Sequence, residues 1–204
     1  MDRLTLYTNP MSRGRIARWM MEELGQPYDT VVIDFGPPMK TPAYLALNPM
    51  GKVPTLAHGP RIVTECAAIC AYLADAFPQA GLMPADRSAF YRWMFFAAGP
   101  VEAAITNRAL NVEVPADRRG MVGYGSYDTV IDALETAVSA TPYICGDTFS
   151  AADVYVGSQI GWGLRFGSIP DRPAFTAYWG RLTARPALTR ANQLNDAALP
   201  QKGT

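Results

Sequence analysis

Two stretches of this chain and one isolated serine carry side chains that can do chemistry together. Asn48-Pro49-Met50-Gly51-Lys52-Val53-Pro54-Thr55-Leu56 is followed a little further on by Val63-Thr64-Glu65-Cys66, which opens an apolar helical pattern. Pro54 has no N–H to give a sheet, and an X-Pro bond tolerates cis, which turns the neighbouring amide outward. Val53 then offers its own N–H and C=O to an extended ligand, as an added strand would. Glu65 lies where strand gives way to helix. Its carboxylate suits an ammonium group, while the helix N-terminus suits a carboxylate. A ligand with an amide backbone, an amine and a carboxylate is a short peptide. Each piece alone equally fits a proline-led strand or a capped helix; their order and spacing favour the ligand. Ser12 follows the first strand by one loop and opens the first helix. A hydroxyl donor there steadies an anion by hydrogen bond and dipole together, although a plain N-cap serine reads the same way.

The elements that must position these groups follow from periodicity. Residues 4–7 alternate as a short strand stopped by Asn9-Pro10. Ser12 stands at an N-cap position ahead of Ile16, Ala17, Trp19, Met20 and Leu24, with Gly25 as terminator. Residues 28–33 are rich in Val and Ile and read as a second strand. A variable stretch through Gly36-Pro37-Pro38 leads to a short helix over 42–47. Residues 53–57 and 61–63 form a hairpin across His58-Gly59-Pro60, and Cys66, Ile69, Cys70, Leu73 and Phe77 share one helix face. His58 lacks a nearby acidic or cysteine partner and reads as a turn residue. The order β-α-β-α-β-β-α matches a thioredoxin-like layer.

Beyond the turn-rich linker 78–84 the spacing predicts helices over 86–111, 117–139, 150–166, 173–184 and 186–197, and no strand. The fold class is therefore α/β followed by all-α, with an N-terminal thioredoxin-like domain at 1–79 and an all-helical domain at 85–204. Ser150-Ala-Ala-Asp153 reads as an N-capping box, with Phe149 and Val154 at the staple positions, and its role is structural.

Composition narrows the class. The 204 residues are 49% hydrophobic and 18% charged, ordinary values for a globular protein. Eighteen basic and eighteen acidic side chains cancel, so no basic footprint points to nucleic acid or an anionic membrane. Only Lys40, Lys52 and Lys202 are lysines, which draws attention to the first two. The three cysteines, Cys66, Cys70 and Cys145, lack zinc or CxxC spacing. No signal-like opening and no membrane-length apolar run is seen. The expectation is a reduced, cytoplasmic protein without a metal.

Residues 48–66, taken one by one, resemble the glutathione-binding half of cytosolic glutathione S-transferases. Asn9-Pro10-Met11-Ser12, with Arg13 to Arg18 behind it, resembles the catalytic loop of the serine-type classes, above all the plant phi class. The Ser150–Asp153 box resembles the one that opens a core helix of that family. The resemblance spans nearly the whole chain and is strongest over 48–75, then 3–24 and 146–160. It implies a detoxifying transferase with glutathione as co-substrate, stabilised as its thiolate and conjugated to a small apolar electrophile.

By the same resemblance Ser12 stabilises the thiolate, with Asn9 and Tyr7 as rivals, because some bacterial members use Asn or Thr. Lys52 meets the glycyl end, Val53 pairs with the cysteinyl backbone, and Glu65 takes the ammonium. Lys40 holds the glycine carboxylate or is a solvated surface lysine. Cys66 stands where the family has serine. A thiol is the poorer donor, so the Cys66 backbone N–H must carry more of the γ-glutamyl contact. A cysteine there can also form a mixed disulfide with glutathione. Met11 and Phe35 line the electrophile pocket; Tyr91, Trp93, Arg108 and Trp162 are further candidates for it. Met50 sits where some family members insert an apolar key into the second subunit of a homodimer. Fold alone does not fix function. A peroxidase, disulfide oxidoreductase, isomerase or dehalogenase, a ligand carrier and an interaction protein remain alternatives.

Overall fold

The computed structural model describes residues 2–200. Four short strands form one mixed sheet in the order β2-β1-β3-β4. β1 (Leu4–Thr8) pairs parallel with β2 (Asp29–Val32) and antiparallel with β3 (Thr55–His58), and β3 pairs antiparallel with β4 (Arg61–Thr64). Alternation decides the faces: Leu4, Leu6 and Thr8 are buried while Thr5 and Tyr7 are only partly so. α1 (Gly14–Leu24) buries Ile16, Ala17, Trp19, Met20, Met21 and Leu24. Each large apolar side chain so buried contributes about 1.5–3 kcal/mol. Gly25 ends the helix at φ 66°, donating to the Met21 carbonyl. α2 (Pro42–Leu47) begins on a Thr41 cap, and α3 (Cys66–Ala76) follows β4 directly. This is the thioredoxin-like layer that the element order implied.

The second part is helical throughout. It comprises α4 (Arg87–Phe96), α5 (Glu102–Ala109), α6 (Tyr127–Ala140), α7 (Ala151–Phe166) and α8 (Pro173–Thr183). The capping box at α7 closes in both directions, and Asp153 also accepts from Ile144 N at 2.8 Å and the Tyr178 hydroxyl at 2.7 Å. Burial pushes the Asp153 carboxyl above its ordinary range, against the donors that hold it down.

Several boundaries differ from the periodic reading, each for a local reason. The expected helix over 86–111 is split by a wide π turn at Ala97–Val101 that accommodates Pro100. The expected helix over 117–139 starts only at Tyr127, on a Ser126 cap. A short 3₁₀ turn, Ala116–Met121, and the glycines at 120, 123 and 125 occupy the region before it. At α1, Arg13 and not Ser12 stands immediately before the first helical residue. Residues 9–16 instead form successive turns, Ser12 N to Asn9 O and Arg15 N to Ser12 O.

By contact the chain forms two compact units, residues 1–80 with 184–204, and residues 81–183. The last helix, α9 (Pro186–Ala197), packs within the first unit against α1. Arg185 forks onto Glu23 at 2.6 and 2.7 Å, and Arg15 reaches Asp196 at 2.9 Å. No helix among the described residues is long and apolar enough to cross a membrane.

Candidate active site

The carboxyl ends of the parallel strands β1 and β2, the first residue of β3 and the N-terminus of α1 meet at one end of the sheet. That end of a parallel pair is where loops are free to hold a ligand. A cleft of about 340 Å³ opens there. Met11, Ser12, Phe35, Lys40, Lys52 and Val53 all line it. Arg13, Gly36, Met39 and Gly51 complete the wall. Arg13, Lys40 and Lys52 make this wall cationic. Met11 and Phe35 are 60% and 52% exposed, so the same wall also presents apolar surface.

The Ser12 hydroxyl donates to the Asn9 carbonyl at 2.8 Å and accepts the Gly14 N–H at 2.9 Å. Asn9 is buried, and its side chain is already committed. Its amide donates to Ile33 O at 2.9 Å and its oxygen accepts from Met11 N at 2.9 Å. Tyr7 lies on the other face of β1 with its ring 6.0 Å from that of Tyr44. Of the three rivals only Ser12 belongs to the cleft wall. Arg15 fixes the same loop from behind, donating to Pro10 O at 3.2 Å while its other nitrogen holds Asn192 and Asp196 of α9.

The Lys52–Val53 edge rests on a polar scaffold. The Tyr44 hydroxyl donates to Lys52 O at 2.6 Å, and Asn48 Nδ2 donates to the same carbonyl at 2.9 Å. Both also contact Thr55 Oγ1, which is buried. Burial raises the Tyr44 phenol above its ordinary value, so it stays a hydrogen-bond donor. The Val53–Pro54 peptide is cis. Lys40 donates to Met50 O at 2.9 Å and Gly51 O at 3.2 Å, spanning the turn that leads into this edge. Gly51 has φ 58°, and a β-carbon there would press on Met39 O and on the Lys40 ammonium, so the turn needs glycine.

Glu65 and Cys66 do not line the cleft itself. Thr55 pairs with Thr64, so Glu65 follows β4 at the end of the sheet where Pro54 enters β3. Glu65 is exposed and holds φ 67°, in the left-handed region that disfavours side chains. Cys66 is buried, and its thiol donates to the Arg13 carbonyl at 3.2 Å. The starts of α1 and α3 are thereby joined. Arg13 in the wall, and Tyr44 and Asn48 beneath it, were not singled out by sequence reasoning. Only the scarcity of cations other than arginine hinted at a charged cleft, and it drew attention to lysine.

Of the candidates on the helical side, Arg108 lines a separate cleft of about 410 Å³ within the second unit. Its guanidinium lies 4.1 Å from the Tyr127 ring centroid, a cation–π contact. Tyr91, Trp93 and Trp162 are not part of that wall. Among the described residues no cluster of three or more His, Cys, Asp or Glu side chains is placed to hold a metal.

A thioredoxin-like layer with a cationic cleft at the start of its first helix, together with an all-helical unit, defines a class of two-part proteins. The comparisons with known proteins agree. Residues 11–76 match the glutathione S-transferase N-terminal domain, and residues 126–186 match the glutathione S-transferase C-terminal domain. Glutathione S-transferase 3 of Zea mays is 29% identical, covering 97% of this chain and 95% of the relative. A glutathione transferase homologue from Sulfitobacter, solved with bound glutathione, is 28% identical with a TM-score of 0.75, covering 98% of this chain and all of the other. The theta class enzyme of Xanthomonas axonopodis pv. citri, solved with glutathione bound, is 27% identical with a TM-score of 0.72, covering 94% and 97%. The chain belongs to the cytosolic glutathione S-transferase superfamily and is an enzyme of that kind.

Proposed function

We propose that this enzyme binds glutathione in the cleft of residues 1–79, stabilises its thiolate with Ser12, and conjugates it to a small apolar electrophile. The observation that carries the proposal is the Ser12 hydroxyl in the wall of a cleft flanked by Arg13, Lys40 and Lys52. Glutathione brings two carboxylates and one ammonium. Lys40 and Lys52 are assigned to its glycyl end, the Val53 backbone to its cysteinyl unit, and Glu65 to its ammonium. Cys66 contributes its backbone N–H at the start of α3, since its thiol is turned to Arg13 O. That burial also weakens the mixed-disulfide alternative.

Ser12 can change its donor target at low cost. Its hydroxyl points to Asn9 O, but that carbonyl also accepts Ser12 N at 3.1 Å and keeps a partner when the hydroxyl turns away. The Gly14 N–H meanwhile continues to hold Ser12 Oγ. Lowering a thiol from its free value by about two pH units needs about 2.7 kcal/mol. A hydrogen bond to a charged group contributes about 1.5–3 kcal/mol and a helix N-terminus about 0.3–1 kcal/mol more. The two together suffice. Met11 and Phe35 then offer apolar surface to the second substrate. A homodimer with Met50 at its contact and a cytoplasmic, detoxifying role complete the reading.

The test is the ultraviolet absorbance of the bound thiolate against pH, for the native protein and Ser12→Ala side by side. A lowered thiol pKa that returns toward the free value in Ser12→Ala is expected. Binding without any lowering in the native protein would shift the assignment to a carrier or a disulfide enzyme.

A further inference from the structure

The parallel ladder between β1 and β2 reaches one step past its last paired residues. Thr8 lies opposite Val32, and just beyond them Ile33 N donates to Thr8 O at 2.9 Å. In a parallel pair the next bond runs back, from the N–H of residue 10 to the Ile33 carbonyl. Residue 10 is proline and has no N–H. The Asn9 side chain supplies the missing donor. Its Nδ2 gives to Ile33 O at 2.9 Å, while its Oδ1 takes Met11 N at 2.9 Å. Asn9 is only 2% exposed, and its amide stands in the one orientation that satisfies both partners. An ionised aspartate there could accept from Met11 N but could not donate to the carbonyl.

Both chain segments lead from this junction into the wall of the cleft. Met11 and Ser12 follow Asn9, and Phe35 and Gly36 follow Ile33, each pair two and three residues on. The Ser12 turn has its own bonds, from Ser12 N and the Ser12 hydroxyl to Asn9 O and from Gly14 N to Ser12 Oγ, and none of them uses the Asn9 amide. What the amide joins is the Ser12 loop to the Phe35 segment. We propose, resting on the reading of this cleft as the site of glutathione conjugation, that Asn9 is a positioning residue for the electrophile. Through Ile33 O it sets the gap between the sulfur held at Ser12 and the apolar surface of Phe35, where the second substrate lies. Asn9 touches neither sulfur nor electrophile; it carries the order of the sheet past Pro10 into the cleft wall.

Asn9→Asp tests this, because it keeps the acceptor for Met11 N and removes the donor to Ile33 O. Asn9→Ala, which adds no charge, serves as the second variant should the first fail to fold. Conjugation of chlorodinitrobenzene at saturating glutathione and the pKa of the bound thiol are read on the folded proteins. In either variant kcat/KM for chlorodinitrobenzene is expected to fall about tenfold, since a displacement of about 1 Å caused away from the chemistry can cost about 10²-fold. The thiol pKa is expected to stay at its native value, because the Ser12 hydroxyl keeps its partners. In a Phe35→Ala background the same change at Asn9 is expected to lower kcat/KM by less than about twofold. An unchanged kcat/KM in both variants overturns this proposal and leaves the conjugation reading standing. A raised thiol pKa overturns it as well, by making Asn9 a partner of the sulfur, and an undiminished loss in the Phe35→Ala background removes the route through Phe35. No conjugation by the native protein overturns the reading of the cleft and this proposal with it.

Discussion

The Tyr44 hydroxyl donates to the carbonyl of Lys52 at 2.6 Å and so fixes, from below, the edge that carries both Lys52 and Val53. Asn48 reaches the same oxygen, which leaves the edge held twice. Tyr44→Phe removes one clamp and unpairs nothing completely. A stability loss of about 1–2 kcal/mol is expected. The KM for glutathione should rise several-fold while kcat stays near native, since the reacting sulfur is held elsewhere. A fall in kcat at saturating glutathione, seen by steady-state kinetics, would place Tyr44 in the chemistry instead.

Glu65 combines an exposed carboxylate with φ 67°. Glycine adopts that angle without penalty, whereas alanine keeps it. Glu65→Gly is expected to stabilise the protein by about 1 kcal/mol, or about 2–4 °C in Tm. Both Glu65→Gly and Glu65→Ala should weaken glutathione binding by about tenfold or more, through loss of the ammonium's partner. Calorimetry of binding and thermal denaturation check the pair. Retained affinity in both variants would remove Glu65 from the site.

The thiols give a pH dependence whose sign follows from burial. Cys145 is pushed up to about 12, chiefly by burial with the Asp153 charge adding to it, and Cys70 is also raised, by burial. At pH 8 a thiol with pKa near 12 is about 10⁻⁴ ionised, about a thousandfold less than one near 9. Alkylation of native Cys145 by iodoacetamide should therefore be very slow at pH 8 and quicken with every rise in pH. A folded-state value above the unfolded one gives stability that is present below about pH 9 and lost as pH rises toward 12. Peptide mass spectrometry of labelled protein reads the first effect, and a pH series of denaturant midpoints reads the second. Rapid labelling at pH 8 in the folded state counts against this environment.

Asp153 accepts Ser150 N, Ile144 N and the Tyr178 hydroxyl in a buried setting. The Ser150 hydroxyl donates to it as well, so Asp153→Ala removes the acceptor of four donors at once and is expected to cost about 3–5 kcal/mol. Glutathione affinity of the remaining folded protein should be unchanged, because none of these groups lines the cleft. A loss below 1 kcal/mol in urea denaturation would mean that the box caps α7 and does little else.

Local signals were the legible ones. Lys52 and Val53 sit in the cleft wall, the Ser150–Asp153 box closes, and α9 spans the residues expected of it. These features are written in neighbouring residues, where spacing is enough. Ser12 was placed at the right loop but in the wrong local role. Its hydroxyl takes the Gly14 N–H inside a turn and does not cap the helix in the ordinary way. The π turn at Pro100 replaced a continuous helix because a proline in a strongly periodic run can bulge the ladder without ending it. What stayed hidden was long-range. Nothing near Tyr44 announces that its hydroxyl will meet Lys52 O, and nothing near Arg15 announces Asp196. Arg13 looked like one arginine among many until the fold brought it beside Lys40 and Lys52.

The packing of α9 on α1 has a consequence for biosynthesis. Trp19 and Arg185 both meet Glu23, so α1 is held in part by a residue made 162 positions later in the chain. At ribosomal speeds of about 5–20 residues per second, α1 waits about 10–30 s for residues 186–197 to be made. Throughout that interval the nascent chain carries the Ser12 loop without the α9 groups that anchor it through Arg15. Loss of α9 would therefore strike at the first helix.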